Sequence, residues 1–165
     1  MFCFLSILGK EFAMSADKKT AYICGPLTEL SSFENIRAKG FYERIAGIYQ
    51  NITGVRAFVP HEHCDPVKHS TLTPSEVDTI ERRQVCELTT ILVVVALAPS
   101  WGGGIEVEMA RSSGVPVLVL CPKNKNISRL LKGNPAVQKI ISYETEDEAL
   151  VILEDSFIEF TAAAA

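Results

Sequence analysis

Positive charge is what this chain is short of: 16 Lys and Arg stand against 20 Asp and Glu, a net charge of -4. A surface that neutralises a nucleic-acid backbone needs clustered Lys and Arg, so a nucleic-acid-binding role is disfavoured. Free nucleotides stay open, because a single phosphate can be held by backbone N–H groups alone. The chain also has no CxxC pair, and its five cysteines (Cys3, Cys24, Cys64, Cys86, Cys121) are odd in number and scattered. That usage suits reduced thiols in a cytoplasmic protein. Long apolar runs are missing too. Phe2 to Leu8 lacks a basic flank and is far shorter than the ~20 residues of a bilayer span, so no membrane association is expected. Residues 1–18 read as a loose arm, with Met14 an alternative start, and residues 162–165 as a tail. One domain over 19–161 is the expectation, since 165 residues hold one core and not two.

What is present is an alternation of short apolar runs with helical patterns, without repeats or low-complexity linkers. Strands are expected at Thr20 to Cys24, Val55 to Val59, Ile91 to Leu97, Val115 to Cys121 and Val137 to Ser142. Helices are expected at Phe33 to Gln50, from Pro74 to Leu88, over about ten residues that follow the glycines 102–104 and end at Gly114, at Ile127 to Lys132 and at Thr145 to Phe160. Thr73, Pro74 and Glu76 form a capping-box signature for the second helix, and Gly114 is a typical residue just past a helix end. The fold expected is α/β, a doubly wound, flavodoxin- or Rossmann-like, five-stranded parallel sheet with helices on both faces. Ligands in such sheets sit at the C-terminal strand ends.

Three segments converge there: Tyr22-Ile-Cys-Gly25-Pro26-Leu27-Thr28, the loop from His61 to His69, and Pro99-Ser100-Trp101-Gly102-Gly-Gly104-Ile-Glu106. The glycines allow a ligand to approach the backbone, and the free N–H groups of a helix start favour an anion. Glu106, placed in that helix's first turn, is expected to be kept ionised by the same partial charge. Such a carboxylate can attack an anomeric carbon and hold a covalent sugar. Glu108 points about 200° away and is expected to pair with Arg111 or Ser112. Glu81 interrupts the buried stripe Val77, Glu81, Val85, Leu88 and becomes the candidate second acid, while Asp78 can pair with Arg82. The bland alternatives are a plain tight turn for the glycines, a snorkelling boundary residue for Glu81 and a core aromatic for Tyr22. Trp101 is open to stacking on a base or covering the core edge. The H-x-H-C spacing at His61 matches no common zinc pattern, and neither metal nor cofactor is expected.

Taken together, Tyr22-Ile-Cys-Gly-Pro and Pro99-Ser-Trp-Gly-Gly-Gly-Ile-Glu-Val-Glu-Met-Ala110 resemble the nucleoside 2-deoxyribosyltransferase family, and most closely its 2′-deoxynucleoside 5′-phosphate N-hydrolase branch. The resemblance implies cleavage or transfer of an N-glycosidic bond, with Glu106 as nucleophile and Tyr22 positioning it. It implies a 5′-phosphate contact at Ser100, a further one from a neighbouring subunit near Ser128, and hence a homodimer. The family's sugar-binding aspartate falls near 81 or 82, where this chain has Glu81 and Arg82, so the pattern is not fully kept. A looser echo is the LOG-like phosphoribohydrolase loop, whose second glycine and threonine are absent. A non-catalytic nucleotide sensor using the same pocket is the alternative of another class.

Overall fold

The computed structural model describes residues 19–163, so the arm at 1–18 and the tail's last two residues lie outside it. Four parallel strands form one sheet in the order β1-β2-β3-β4: β1 (Thr20–Cys24), β2 (Thr89–Val95), β3 (Val117–Pro122) and β4 (Val137–Tyr143). Six helices complete the order of elements, namely α1 (Ser32–Thr53), α2 (Pro60–His63), α3 (Pro74–Leu88), α4 (Trp101–Ser112), α5 (Arg129–Lys132) and α6 (Glu146–Ala163). Tyr22 pairs with Leu92, Val93 with Leu118 and Val119 with Ile140, which fixes the register across the sheet.

Alternation along the strands divides the core in two. Ala21, Ile23, Ile91, Val93 and Val95 pack with Phe41, Ile45 and Tyr49 of α1 and Leu153 and Phe157 of α6. Tyr22, Cys24, Leu92 and Val94 face the other way, against Val85 of α3 and Val107 and Ala110 of α4. Helices therefore cover both faces, and each fully buried large apolar side chain contributes about 1.5–3 kcal/mol. The capping box at Thr73 and Glu76 is formed, with Glu76 Oε2 accepting from the Thr73 amide at 2.8 Å. Gly114 takes the left-handed conformation, φ 70°, that a residue after a helix end requires.

Among the described residues the sheet has four strands and not five. The Val55 to Val59 segment keeps only one bridge, Tyr22 with Phe58, through Ile23 N to Phe58 O at 2.9 Å and Phe58 N to Ala21 O at 2.8 Å. Pro60 starts α2 immediately afterwards, and the Arg56 carbonyl is taken by the Thr20 hydroxyl at 2.8 Å. A proline has no N–H for a ladder and a side chain has claimed the carbonyl, so pairing stops after one rung. Most element boundaries move by one to three residues, and two of the shifts bear on the site and the tail. Helix α4 begins at Trp101, which puts Glu106 in its second turn rather than its first, and α6 runs on through Ala162 and Ala163 of the expected tail. Among the described residues no helix is long and apolar enough to cross a membrane.

Candidate active site

Because β1 alternates, Tyr22 and Cys24 reach the α3/α4 face together, and this is where Glu106 lies. Tyr22 is fully buried, and its hydroxyl donates to Glu106 Oε1. Glu106 is itself only 7 % exposed. Burial pushes its carboxyl above the ordinary range, while hydrogen bonds from Cys24 and Tyr22 pull it back. The helix-start charge expected to keep it ionised acts on the first turn, and Glu106 is one turn too far along to gain much from it.

Glu81 is half-buried on α3, and its carboxyl is pushed up to about 7, first by burial, then by the charge of Glu106 and then by that of Asp78. The two carboxylates therefore share one field, and protonating one eases ionisation of the other. The same two charges raise the Tyr22 hydroxyl and the Cys24 thiol, after burial, so both stay protonated as donors. Glu108 is elsewhere: it is exposed and bonded to Arg111 Nε at 2.6 Å. Asp78 and Arg82 form the outer pair at 2.8 Å.

A pocket of about 870 Å³ opens over the C-terminal strand ends between the start of α4 and the segment from Lys125 to Pro135. Gly25, Pro26, Ser100, Gly104 and Ser128 line it, as do Lys125 and Arg129. Tyr22, Glu81 and Glu106 do not. Cys24 both lines the pocket and bonds Glu106, which links the cavity to the carboxylate. Ser100 caps α4 by accepting from Gly103 N at 3.3 Å, and Ser128 caps α5 by accepting from Leu130 N at 3.1 Å. Each hydroxyl retains its own proton for donation.

The remaining candidates fall into separate places. A side chain at Gly25 would collide with the Tyr42 ring, whose hydroxyl donates to the Pro26 carbonyl at 3.0 Å. The Leu27 carbonyl accepts from the Asn35 amide, which ties this loop to α1. Trp101 is 90 % exposed, and Gly102 and Gly104 are exposed beside it. His61 is buried against α1, with Nε2 3.0 Å from Glu43 Oε1, and is not brought to Glu106. Glu43, His61 and Glu62 come within metal-ligand reach of one another, but Arg56 already bonds Glu62, with Nε at 3.2 Å, and supplies the positive charge there.

Sequence reasoning passed over three residues of this site. Cys24 was findable from strand period, since it is two residues after Tyr22 on one face. Gly103 is the glycine whose absent side chain matters most, because a Cβ there would lie 3.1 Å from Cys24 Sγ. Phe58 stacks on Tyr22 and needs the tertiary structure to be seen.

No family model and no curated protein sequence matches this chain. Its likeness is to solved structures. The CMP N-glycosidase BcmB of Clostridium botulinum superposes with a TM-score of 0.62 at 16% identity, covering 84% of this chain and 99% of that one. The solution structure of BlsM gives 0.61 at 17% identity, covering 88% and 93%. A conserved protein from Enterococcus faecalis V583 gives 0.57 at 16% identity, covering 84% and 99%. At these identities the likeness is one of fold.

Proposed function

We propose that this protein is an N-glycosidase or N-deoxyribosyltransferase acting on a nucleoside 5′-monophosphate or nucleoside through a covalent glycosyl-Glu106 intermediate. The observation that carries the reading is the buried Glu106 carboxylate held at Oε1 by the Tyr22 hydroxyl, with a second carboxylate, Glu81, in its field. Tyr22 and Cys24 hydrogen-bond the carboxylate, and one of its oxygens attacks C1′ of the sugar. The C1′–N bond breaks with its electron pair going to the base, and the base takes a proton. Glu81, poised near neutrality, is the group that supplies it. In the second half water attacks C1′, gives its proton to Glu81, and the bond pair between C1′ and the carboxylate oxygen returns to Glu106; in transfer a second base replaces the water.

The pocket supports a nucleotide over a bare nucleoside. Ser100 and Ser128 each have a hydroxyl proton to donate, and Lys125 and Arg129 supply positive charge in the same pocket. A 5′-phosphate placed there would meet donors and cations together. The fold shared with a CMP N-glycosidase adds a reason to begin with cytidine monophosphate. A homodimer is part of the proposal, following from the resemblance at Ser128. The test is base release, followed chromatographically, from a panel of ribo- and deoxyribonucleoside monophosphates. Release by the wild type and its loss in Glu106→Ala is expected. Tight nucleotide binding without release of any base would instead make the protein a sensor.

A further inference from the structure

The single rung that joins residues 55–59 to the sheet falls opposite Tyr22, and the residue it places there is Phe58. The Phe58 ring stacks on the Tyr22 ring with centroids 5.3 Å apart and planes 14° from parallel. His63 stacks on Phe58 in turn, at 4.3 Å and 13°. Exposure rises along the series: Tyr22 is fully buried, Phe58 is half-buried and His63 is exposed. A file of three rings thus runs from the partner of Glu106 to the surface.

A phenol's hydroxyl lies on the ring axis, so the placement of the ring alone decides where it points. The Tyr22 ring is set from one side by the rung itself, since Ile23 N and Ala21 O, the neighbours of Tyr22, both bond Phe58. It is set from the other by the ring that the rung delivers. We infer that Phe58 is a positioning residue for the proposed reaction: its stack on Tyr22 fixes the hydroxyl that holds Glu106 Oε1, and His63 stiffens Phe58 from outside. The inference rests on the glycosyl-transfer reading, since it requires Glu106 to be the reacting group. It also gives the lost strand's one surviving rung a reason to persist.

The test is a double-mutant cycle between Phe58→Leu and Tyr22→Phe, read as base release from the nucleoside monophosphate that the wild type turns over fastest. Phe58→Leu is expected to lower kcat about tenfold with KM changed by less than about twofold. Phe58→Tyr, which keeps a ring in the stack, retains most of what Phe58→Leu loses. In the Tyr22→Phe background, where no hydroxyl is left to position, Phe58→Leu costs little further. An unchanged kcat in Phe58→Leu, or the same fold-loss in both backgrounds, overturns the inference. Should Phe58→Leu fail to fold, His63→Ala at the exposed end carries the same cycle, with an expected loss of about threefold that vanishes in Tyr22→Phe. Glu106→Gln is assayed alongside. If it keeps full release, the glycosyl-transfer reading itself fails; if it is dead while the cycle shows no coupling, only the role of Phe58 fails.

Discussion

Two carboxylates in this molecule are almost equally hidden and are treated in opposite ways. Asp65, 1 % exposed in the loop after α2, faces the Lys39 ammonium and accepts at Oδ1 from the amides of Val67 at 2.8 Å and Lys68 at 3.0 Å. Burial alone would raise its carboxyl; the Lys39 hydrogen bond, the Lys68 and Val67 amides and the Lys39 charge outweigh that and hold it well below the usual range. Glu106 gets only a phenol and a thiol, whose hydrogen bonds do not outweigh burial, and its carboxyl is pushed up. A buried charge with a cation and two amides is a fastener. A buried charge without a cation is costly to keep, and such a raised, unneutralised carboxyl is the kind of group that chemistry uses.

The largest effect that sharpens this contrast is on catalysis. Glu106→Gln should cut base release about 10³-fold or more, while Asp65→Asn, whose carboxylate bonds go to Lys39, Val67 and Lys68, should leave kcat within a small factor. Next comes stability. Asp65→Ala strands the Lys39 charge and frees two amides, and is expected to cost about 3 kcal/mol in a denaturant titration at pH 7. The pH dependence follows from the lowered carboxyl: its contribution is present above the unfolded aspartate value of about 3.9 and is lost as pH falls through the folded one. Asp65→Ala should therefore lose less relative to wild type at pH 3 than at pH 7.

A smaller effect of opposite sign is expected at the acids of the site. Their raised carboxyls mean that the folded state holds protons the unfolded chain releases, so stability falls as pH rises from about 4.3 towards 7. Glu81→Gln removes that penalty, and the variant should melt above wild type at pH 8 and level with it at pH 4. Equal melting at both pH values would mean that Glu81 carries no such penalty in the folded state. Smallest of all, Trp101→Ala should change stability by less than about 0.5 kcal/mol, since the ring is 90 % exposed. Any larger loss of activity in that variant then reports contact with substrate rather than folding.

Much of the frame was legible because local rules and the final structure agree. The run from Ile91 to Val95 is a central strand, Thr73 to Glu76 caps a helix, and Gly114 ends one. The Val55 to Val59 segment reads as a strand by its β-branched and aromatic residues, yet the Thr20 hydroxyl and Pro60 end its pairing, and neither effect shows in a pattern of apolar positions. At the site, the glycine run pointed to Glu106 and the helical stripe pointed to Glu81. The environment of Glu106 was misjudged because the helix starts at Trp101, one turn ahead of the expected place. His61 illustrates the limit from the other side: its partner Glu43 is on α1, eighteen residues away, and only the packed structure turns the imidazole to it.

The central claim is that the Glu106 carboxylate forms a bond to the sugar, and a trapping experiment tests it most directly. A 2′-fluoro-2′-deoxynucleoside monophosphate, whose electron-withdrawing fluorine slows an oxocarbenium-like transition state, would be mixed with the full chain, quenched and measured by intact and peptide mass spectrometry. The account predicts a mass gain equal to the fluorinated sugar phosphate, on the peptide that carries Glu106 and absent from Glu106→Gln. Base release with no adduct on that peptide, or an adduct that persists in Glu106→Gln, would contradict it.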